Sequence, residues 1–413
     1  MTSALDGIKV IDISQVAAVP MAARLMADYG AEVVHVEHPE RGDLLREALP
    51  VLAALESDFH YVWENYNHNK KSIAVDISKP EGQAIIHKMV AGADVLLSNL
   101  RPYQLTAFDL EYDRLKKLNS GLIFGNLTGY GRVGDNRDDP AYDHVAYGAR
   151  GGVVHRLTPP AGLPIFGVPA LGDNVSSLAL LSGIMMALFV RERTGLGQEV
   201  DVSLLGTAIY QISWELSGTL ATGADVVEEV TKEHPFIREK LDNRAEIANP
   251  LGCSYRTSDE RWLILIAPNP ERYWPRLCVV IEREDLMEDE RFLSKEALEE
   301  NREEAFAILE QAFKTKTLAQ WKERLSGFPG SAVQNSKEVI ADAQARLNEY
   351  FVPFDHPEHG AQEMIAGPMK LSMTPASLGN PAPTLGQHTD EILQAHGYTI
   401  GGIAQLRQDG VVA

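Results

Sequence analysis

The chain has 413 residues, too many for one ordinary hydrophobic core, so two domains are expected. Hydrophobic residues at 45% and charged residues at 23% describe a soluble globular protein, and a formal net charge of −20 argues against nucleic acid and anionic membrane as partners, since both need a basic face. Two cysteines, Cys253 and Cys278, exclude a disulfide framework and give no metal-ligand spacing, so no metal is expected.

In chain order, Met1 to Gly7 lacks the basic and apolar regions of a signal peptide, which makes a cytoplasmic location the expectation. Ile8 to Ser14 reads as a buried strand and Pro20 to Tyr29 as a helix, with proline at its start and Gly30 just past its end. Ala31 to Glu37 is the next strand. The unit repeats as strand Lys71 to Ile77, helix Pro80 to Val90, strand Ala93 to Asn99, helix Leu110 to Leu118 and strand Leu122 to Leu127. Strands separated by helices of this length imply right-handed crossovers and a parallel, Rossmann-like sheet in an α/β fold. The first strand–helix junction, Gln15-Val-Ala-Ala-Val-Pro20, has no Gly-x-Gly-x-x-Gly, so the usual dinucleotide cradle is not supported. Its small residues still let a ligand approach the backbone at a helix N-terminus.

The stretch that most invites chemistry is Gly172-Asp173-Asn174, set between Phe166 to Leu171 and an apolar run, Val175 to Val190, closed by Arg191-Glu192-Arg193. Ser176 to Val190 falls short of the roughly 20 residues that cross a bilayer and reads as a buried helix. The turn puts a carboxylate in the first turn of that helix, where unpaired N–H groups and the positive end of the dipole favour its charged form. An ionised, half-sheltered carboxylate can act as a nucleophile toward an activated acyl group. Asp or Asn ahead of an apolar helix is also an ordinary N-cap, and the turn alone does not separate the two.

Leu204 to Thr222 reads as a long helix leading out of the domain, followed by a polar, acidic surface stretch, Asp225 to Glu246. Ser254 to Thr257 and Arg261 to Ile266 suggest a hairpin about Ser258-Asp259, followed by helices over Lys295 to Phe313 and Leu318 to Leu325. The tail from Val352 is rich in proline and glycine and ends in a helix at Thr389 to His396. The division is therefore 1–205 for a large domain, 206–224 for a linker helix, 225–330 for a small domain, 331–351 for a return linker and 352–413 for the C-terminal part of the large domain.

Several stretches, taken in order, converge on one family. They run from Leu5-Asp-Gly-Ile-Lys-Val-Ile-Asp-Ile13 through Gly30-Ala-Glu-Val-Val-His-Val-Glu-His-Pro39, Gly42-Asp43, Asn67-His-Asn-Lys-Lys-Ser-Ile-Ala-Val-Asp76 and Ala93-Asp-Val-Leu-Leu-Ser-Asn-Leu-Arg-Pro102. Thr128-Gly-Tyr-Gly131, Gly172-Asp173, the Arg191 to Leu204 run and Pro383-Thr-Leu-Gly-Gln-His-Thr-Asp390 follow. In that order the chain resembles the class III CoA-transferases, which include formyl-CoA and carnitine-related CoA-transferases and 2-methylacyl-CoA racemases. The resemblance implies an interlocked homodimer, each chain threaded through the other, with a Rossmann-like large domain and a small domain. It implies acyl-CoA and a small carboxylic acid as substrates, with coenzyme A lying across the large domain and no tightly bound cofactor. It also implies an aspartate on a Gly-Asp turn that forms acyl intermediates, and that aspartate matches Asp173.

The oxyanions of such chemistry need preorganised N–H donors, for which Gln15, Ala17 and Ala18 are the candidates, with Val16 beside them against the coenzyme. Asn69, Lys70 and Lys71 read as partners for the 3′-phosphate or pyrophosphate, and Arg46 is a further basic candidate. His38 stands where relatives carry a basic residue that contacts the nucleotide, although histidine is a weaker anion partner at neutral pH. Asn99, Leu100 and Arg101 match a stretch that flanks coenzyme A in relatives, with Leu100 replacing the usual aromatic. Tyr130 matches a tyrosine near the reacting centre. Thr128 stands where oxalate-handling relatives carry lysine, which argues against a small dianionic acceptor. Of the aromatics Tyr61 and Trp63, core packing suits Trp63 better than an acyl pocket.

The racemase branch needs a histidine and an aspartate as proton-transfer groups, the histidine in a Gly-His-Asp stretch. Here Tyr142 takes that place and His144 lies two residues away, which favours transfer over racemisation. A non-catalytic CoA-binding module is a further alternative, as is a thioesterase-like or lyase role in which water or a substrate carbon traps the acyl group. Within the transferases, Thr128 to Gly131, Asp139 to Asp143 and Ala149 to Gly152 look most like the branch acting on 2-hydroxy acids and aryl or branched acids.

Overall fold

The computed structural model describes residues 3–47, 55, 57–158, 163–165, 167–225 and 249–413. The chain divides into two compact units, one of Met1–His155, Phe166–Ser213 and Gln344–Ala413, the other of Arg156–Ile165 and Trp214–Ala343. The boundaries at 213/214 and 343/344 fall within the segments read from sequence as linker helix and return linker.

The first unit is built on six strands: β1 (Lys9–Ile13), β2 (Glu32–Glu37), β3 (Lys71–Ala74), β4 (Val95–Ser98), β5 (Ile123–Thr128) and β6 (Glu199–Ser203). Their order is β3-β2-β1-β4-β5-β6 and every neighbouring pair is parallel. Because helices cover both faces, β4 and β5 are buried on both sides, and hydrophobic periodicity gives way to continuous apolar runs. One face packs Val10, Val33, Val95, Leu97 and Leu127 against helix α1 (Ala18–Asp28) and a long helix described below. The other packs Ile11, Val36, Leu96 and Phe124 against helices that include Pro80–Val90 and Thr389–Ala395. The edge strand β6 had no counterpart in the sequence reading: its Glu-Val-Asp-Val-Ser pattern alternates and stays partly exposed, because it has one partner only.

The helix that carries Gly172 and Asp173 spans Leu171–Thr194, 24 residues, longer than the apolar run suggested. By length and composition alone it could cross a membrane. Instead its Leu180, Leu181, Ile184, Ala187 and Leu188 are buried in the α1–β5 core, while Met186 and Phe189 remain exposed. Other boundaries also shift. Helix α1 begins at Ala18, so Pro20 sits inside the first turn, where its missing N–H is harmless. Leu110 to Leu118 is helical only over Tyr112–Leu115. Leu204 to Thr222 is two helices, Leu204–Gln211 and Ser213–Thr222, and Lys295 to Phe313 breaks at Asn301.

The second unit holds a three-stranded antiparallel sheet, β7 (Ser254–Arg256), β8 (Trp262–Leu265) and β9 (Gly330–Ala332), the first two forming the expected hairpin. Helices cover it around a core that includes Tyr255, Trp274, Phe292 and Trp321. Cys278 lies in this core, where burial pushes its thiol up to about 12 and leaves it unreactive. The acidic stretch from Asp225 to Glu246, and any lid loop there, lies almost wholly outside the described residues.

Candidate active site

The order β3-β2-β1-β4 reverses direction between β1 and β4, which opens a crevice beyond the C-terminal ends of these two strands. Gln15 and Asn99 tie the crevice together: Gln15 N–H donates to Asn99 Oδ1 at 3.1 Å, and Asn99 Nδ2 donates to the Gln15 carbonyl at 2.7 Å. Val16 follows with φ of +70°, a left-handed conformation that a β-branched residue adopts only under constraint. Its N–H donates to both carboxylate oxygens of Asp43, at 3.0 and 3.2 Å. Immediately after it, the N–H groups of Ala17 and Ala18 at the start of α1 have no acceptor among the described residues. The donors open to a ligand are thus Ala17 and Ala18. The amide of Gln15, an expected oxyanion donor, is already engaged by Asn99.

A cavity of about 290 Å³ occupies the crevice. Gln15, Val16, Ala17, Ala18, Asn99, Leu100 and Arg101 line it, together with Thr128, Tyr142, Asp143 and Asp173. The sequence-derived residues of the β1 and β4 junctions therefore do converge on Asp173. Tyr130 is not among the lining residues; it packs against the core with the Arg150 guanidinium 4.6 Å above its ring. His144 is likewise absent from the lining, while Tyr142 is present and exposed.

Asp173 stands in the first turn of its helix, and its surroundings explain the Gly-Asp pair. The Asp143 carboxylate accepts the Gly172 N–H at 2.9 Å, and a Cβ at position 172 would lie 2.3 Å from both Asp143 and Tyr147. Only glycine lets the helix start this close to its cap. Asp143, held ahead of a π-helical segment at His144–Arg150, thus caps the helix from a distant part of the chain. This corrects the expectation that the helix start keeps Asp173 ionised. The Leu171 and Gly172 amides turn to Asp143 instead, and no hydrogen bond to the Asp173 carboxylate is present among the described residues. Burial, and then the Asp143 carboxylate, push Asp173 up to about 7.

A second cavity of about 320 Å³ adjoins the first and shares Gln15, Leu100 and Gln104 with it. His38, read from sequence as a nucleotide partner, and Arg41 are its basic lining groups. The remaining basic candidates are engaged elsewhere. Lys70 is buried and donates to Asp12 Oδ2 and Asn67 Oδ1, both at 2.9 Å, so it is enclosed in the core and not available to a phosphate. Asn69, in a left-handed turn at φ +64°, spends its side chain on Asp28 and on the backbone of Ser377, Gly379 and Asn380. Lys71, on the edge strand β3, pairs with Glu32 and Glu391. Arg46 forks onto Glu37 at 2.6 and 2.7 Å and lies 3.8 Å above the buried Trp63 ring.

Three residues of the site went unremarked in sequence. Asp143 lay in a run used only for resemblance, yet its carboxylate is the closest charged influence on Asp173. Tyr66, on the helix Tyr61–Asn67, donates its hydroxyl to Asn174 Oδ1 at 3.1 Å, and burial followed by the nearby Asp173 charge pushes it up to about 12. Arg41, two residues after Pro39, carried no signal beyond its charge.

Comparison with known proteins decides the family. The model of CoA-transferase family III matches residues 5–389. The chain belongs to CoA-transferase family III. Family members with known roles include a cinnamoyl-CoA:phenyllactate CoA-transferase of Clostridium sporogenes, 32% identical over 412 residues, covering 99% of this chain and 97% of the relative. An (R)-2-hydroxy-4-methylpentanoate CoA-transferase of Clostridioides difficile is 31% identical and covers 99% of both chains. Among solved structures, a CAIB/BAIF family protein from Brucella suis superimposes with a TM-score of 0.79 at 26% identity, covering 96% of this chain and all of the other. As a family III CoA-transferase, the protein takes acyl-CoA and a carboxylic acid as substrates.

Proposed function

We propose that Asp173 is the nucleophile of this CoA-transferase and that the acids exchanged are 2-hydroxy, aryl or branched-chain acids. The observation that carries the reading is the half-buried Asp173, which lines one cavity together with Ala17 and Ala18, whose amides have no acceptor among the described residues. A carboxylate oxygen of Asp173 adds to the thioester carbonyl, and the C–S bond breaks with its electron pair leaving as CoA thiolate. The thiolate returns to the aspartyl carbonyl and releases the first acid, giving an aspartyl-CoA thioester. The acceptor carboxylate then adds to that carbonyl and expels CoA thiolate, forming a second anhydride. The thiolate adds to the acceptor's carbonyl, giving the new thioester and releasing the Asp173 carboxylate. Each addition puts negative charge on a carbonyl oxygen, for which the Ala17 and Ala18 N–H groups are the proposed donors. Partial shelter of Asp173 protects both anhydrides from water.

The acyl end of the cavity supports the choice of acids. Ala17, Ala18, Leu127, Ala141 and Leu204 give the cavity apolar lining, and Thr128 brings a hydroxyl where oxalate-handling relatives would carry lysine. The two relatives named above act on phenyllactate and on a 2-hydroxy-4-methyl acid, which fits a cavity of this polarity. For coenzyme A itself, Arg101 in one cavity and His38 and Arg41 in the adjoining one are the candidate phosphate partners. We further infer a cytoplasmic, interlocked homodimer; Met186, Phe189, Ile209 and Tyr210 are exposed apolar side chains that a partner chain would cover.

The test is a covalent trap. The enzyme is incubated with phenyllactyl-CoA, cinnamoyl-CoA or a branched 2-hydroxyacyl-CoA, treated with hydroxylamine, and peptide-mapped by mass spectrometry. A hydroxamate confined to Asp173, absent from the Asp173→Ala variant, is the expected result. An unmodified Asp173 with deuterium entering C2 of the acyl chain would replace transfer by racemisation.

A further inference from the structure

The mechanism leaves unused a group of four ionisable side chains buried together under the β1 junction. Lys70 Nζ and His35 Nδ1 both lie 2.9 Å from Asp12 Oδ2, and His35 Nε2 lies 3.3 Å from Asp43 Oδ2. All four side chains are fully enclosed. Two cations and two carboxylates alternate, so the group is neutral as a whole. Burial opposes the charge on His35, but the Asp12 carboxylate with its hydrogen bond at Nδ1, and the Asp43 carboxylate beside Nε2, override it and push His35 up to about 9. An enclosed ion cluster of this kind gives little net stability compared with apolar residues of the same volume, so its presence calls for another role.

Its contacts indicate that role. Asp12 accepts the Ser14 hydroxyl, and Asp43 accepts the Val16 N–H through both oxygens and the Leu45 N–H at 2.8 Å. Ser14 and Val16 are therefore both fastened to the cluster, and Gln15 between them is fastened to Asn99. The pinned stretch ends at Ala17, where the open amides begin. Val16 is held at φ +70°, a conformation its side chain resists. We propose that the Lys70–Asp12–His35–Asp43 cluster is a positioning device that holds Val16 left-handed and so aims the Ala17 and Ala18 amides at the reacting carbonyl. This rests on the reading of Asp173 as nucleophile.

The decisive substitution is His35→Gln, which removes the cation while retaining a similar volume and an amide donor. Its expected effect is a fall in kcat for CoA transfer of about tenfold or more, with the Kd for coenzyme A changed less than about threefold. Loss of one oxyanion donor outright costs about 10²–10³-fold, and misaligning two donors is expected to fall below that. A purely structural cluster would also lower activity if the fold weakened, so a second variant separates the two. Glycine adopts φ +70° without support. Val16→Gly placed in the His35→Gln background is therefore expected to recover kcat at least threefold over His35→Gln alone. Strictly multiplicative effects in that double variant would overturn the positioning role, as would an unchanged kcat in His35→Gln. Hydroxamate trapping on the wild-type enzyme distinguishes failure of the parent reading: no adduct at Asp173 removes the reacting carbonyl from the site and overturns both. An adduct at Asp173 formed as fast in His35→Gln as in the wild type overturns the positioning role alone.

Discussion

Two pairs of sheltered carboxylates, one enclosed beneath the β1 junction and one lining the crevice, behave in opposite ways. Asp12 and Asp43 alternate with Lys70 and His35, and although burial disfavours its charge, those two cations hold Asp12 well below the usual carboxylate range. Asp173 and Asp143 have no lysine or arginine paired with them among the described residues, and burial pushes both upward. Shelter is common to the two pairs, so the difference comes from what was buried with them. A neutralised pair can hold the backbone but has little left to react with, whereas an uncompensated carboxylate keeps the lone pair and the high basicity that an acyl acceptor needs.

Four changes test this contrast, taken here from the largest effect to the smallest. Asp173→Ala should lower kcat for CoA exchange by about 10⁴-fold or more while coenzyme A still binds, as steady-state kinetics and calorimetry would establish. Residual exchange within tenfold of wild type would remove the reactive role from this pair. Lys70→Met should cost about 3–5 kcal/mol, seen as a lower urea midpoint, because it removes one of the two cations on the enclosed Asp12 and leaves the cluster with excess negative charge. An unchanged midpoint would mean that the cluster does not depend on its charge balance. Gly172→Ala should cost about 1–3 kcal/mol through the contacts its Cβ makes with Asp143 and Tyr147. By displacing Asp173 it should also slow transfer by roughly 10²-fold, measured on the folded fraction.

The smallest change is a pH shift. Burial and the Asp143 charge place Asp173 at about 7, so kcat/KM should rise with pH through that value as the nucleophile ionises. Asp143→Asn removes the neighbouring charge but keeps an oxygen for the Gly172 N–H, and it should move this limb to lower pH. A limb that stays in place would assign it to another group. Stability carries the same sign. Asp173 titrates higher in the folded chain than its ordinary value of 3.8. The stability it contributes is therefore complete below about 3.8 and is lost as pH rises through about 7. Asp173→Asn should accordingly gain on the wild type in thermal melts above pH 7 and show no such advantage at pH 4.

Much of the sheet was legible because buried parallel strands announce themselves as apolar runs between helices: Val95–Ser98 and Ile123–Thr128 lie within one or two residues of their expected bounds. The Gly-Asp turn was legible as a carboxylate at a helix start, but not its ionisation, which depends on Asp143 arriving from 30 residues upstream. Charge in sequence carries no direction. Lys70 and Lys71 are adjacent and looked equivalent, yet one turns inward to Asp12 and the other outward to Glu32 and Glu391. The break at Ile212 was hidden too, since apolar periodicity continues across it.

The two cavities share a wall made by Gln15, Leu100 and Gln104, and on the proposed reading one would hold much of the coenzyme, the handle, and the other the acyl cargo. The basic groups His38 and Arg41 lie on the handle side, and Asp173, Thr128 and Leu204 on the cargo side. On that reading, substitutions around Thr128 and Leu204 should alter which acid is accepted while leaving the grip on what all the substrates have in common. A scaffold divided in this way lets new substrate preferences arise by small steps at one end, each intermediate still able to hold its coenzyme.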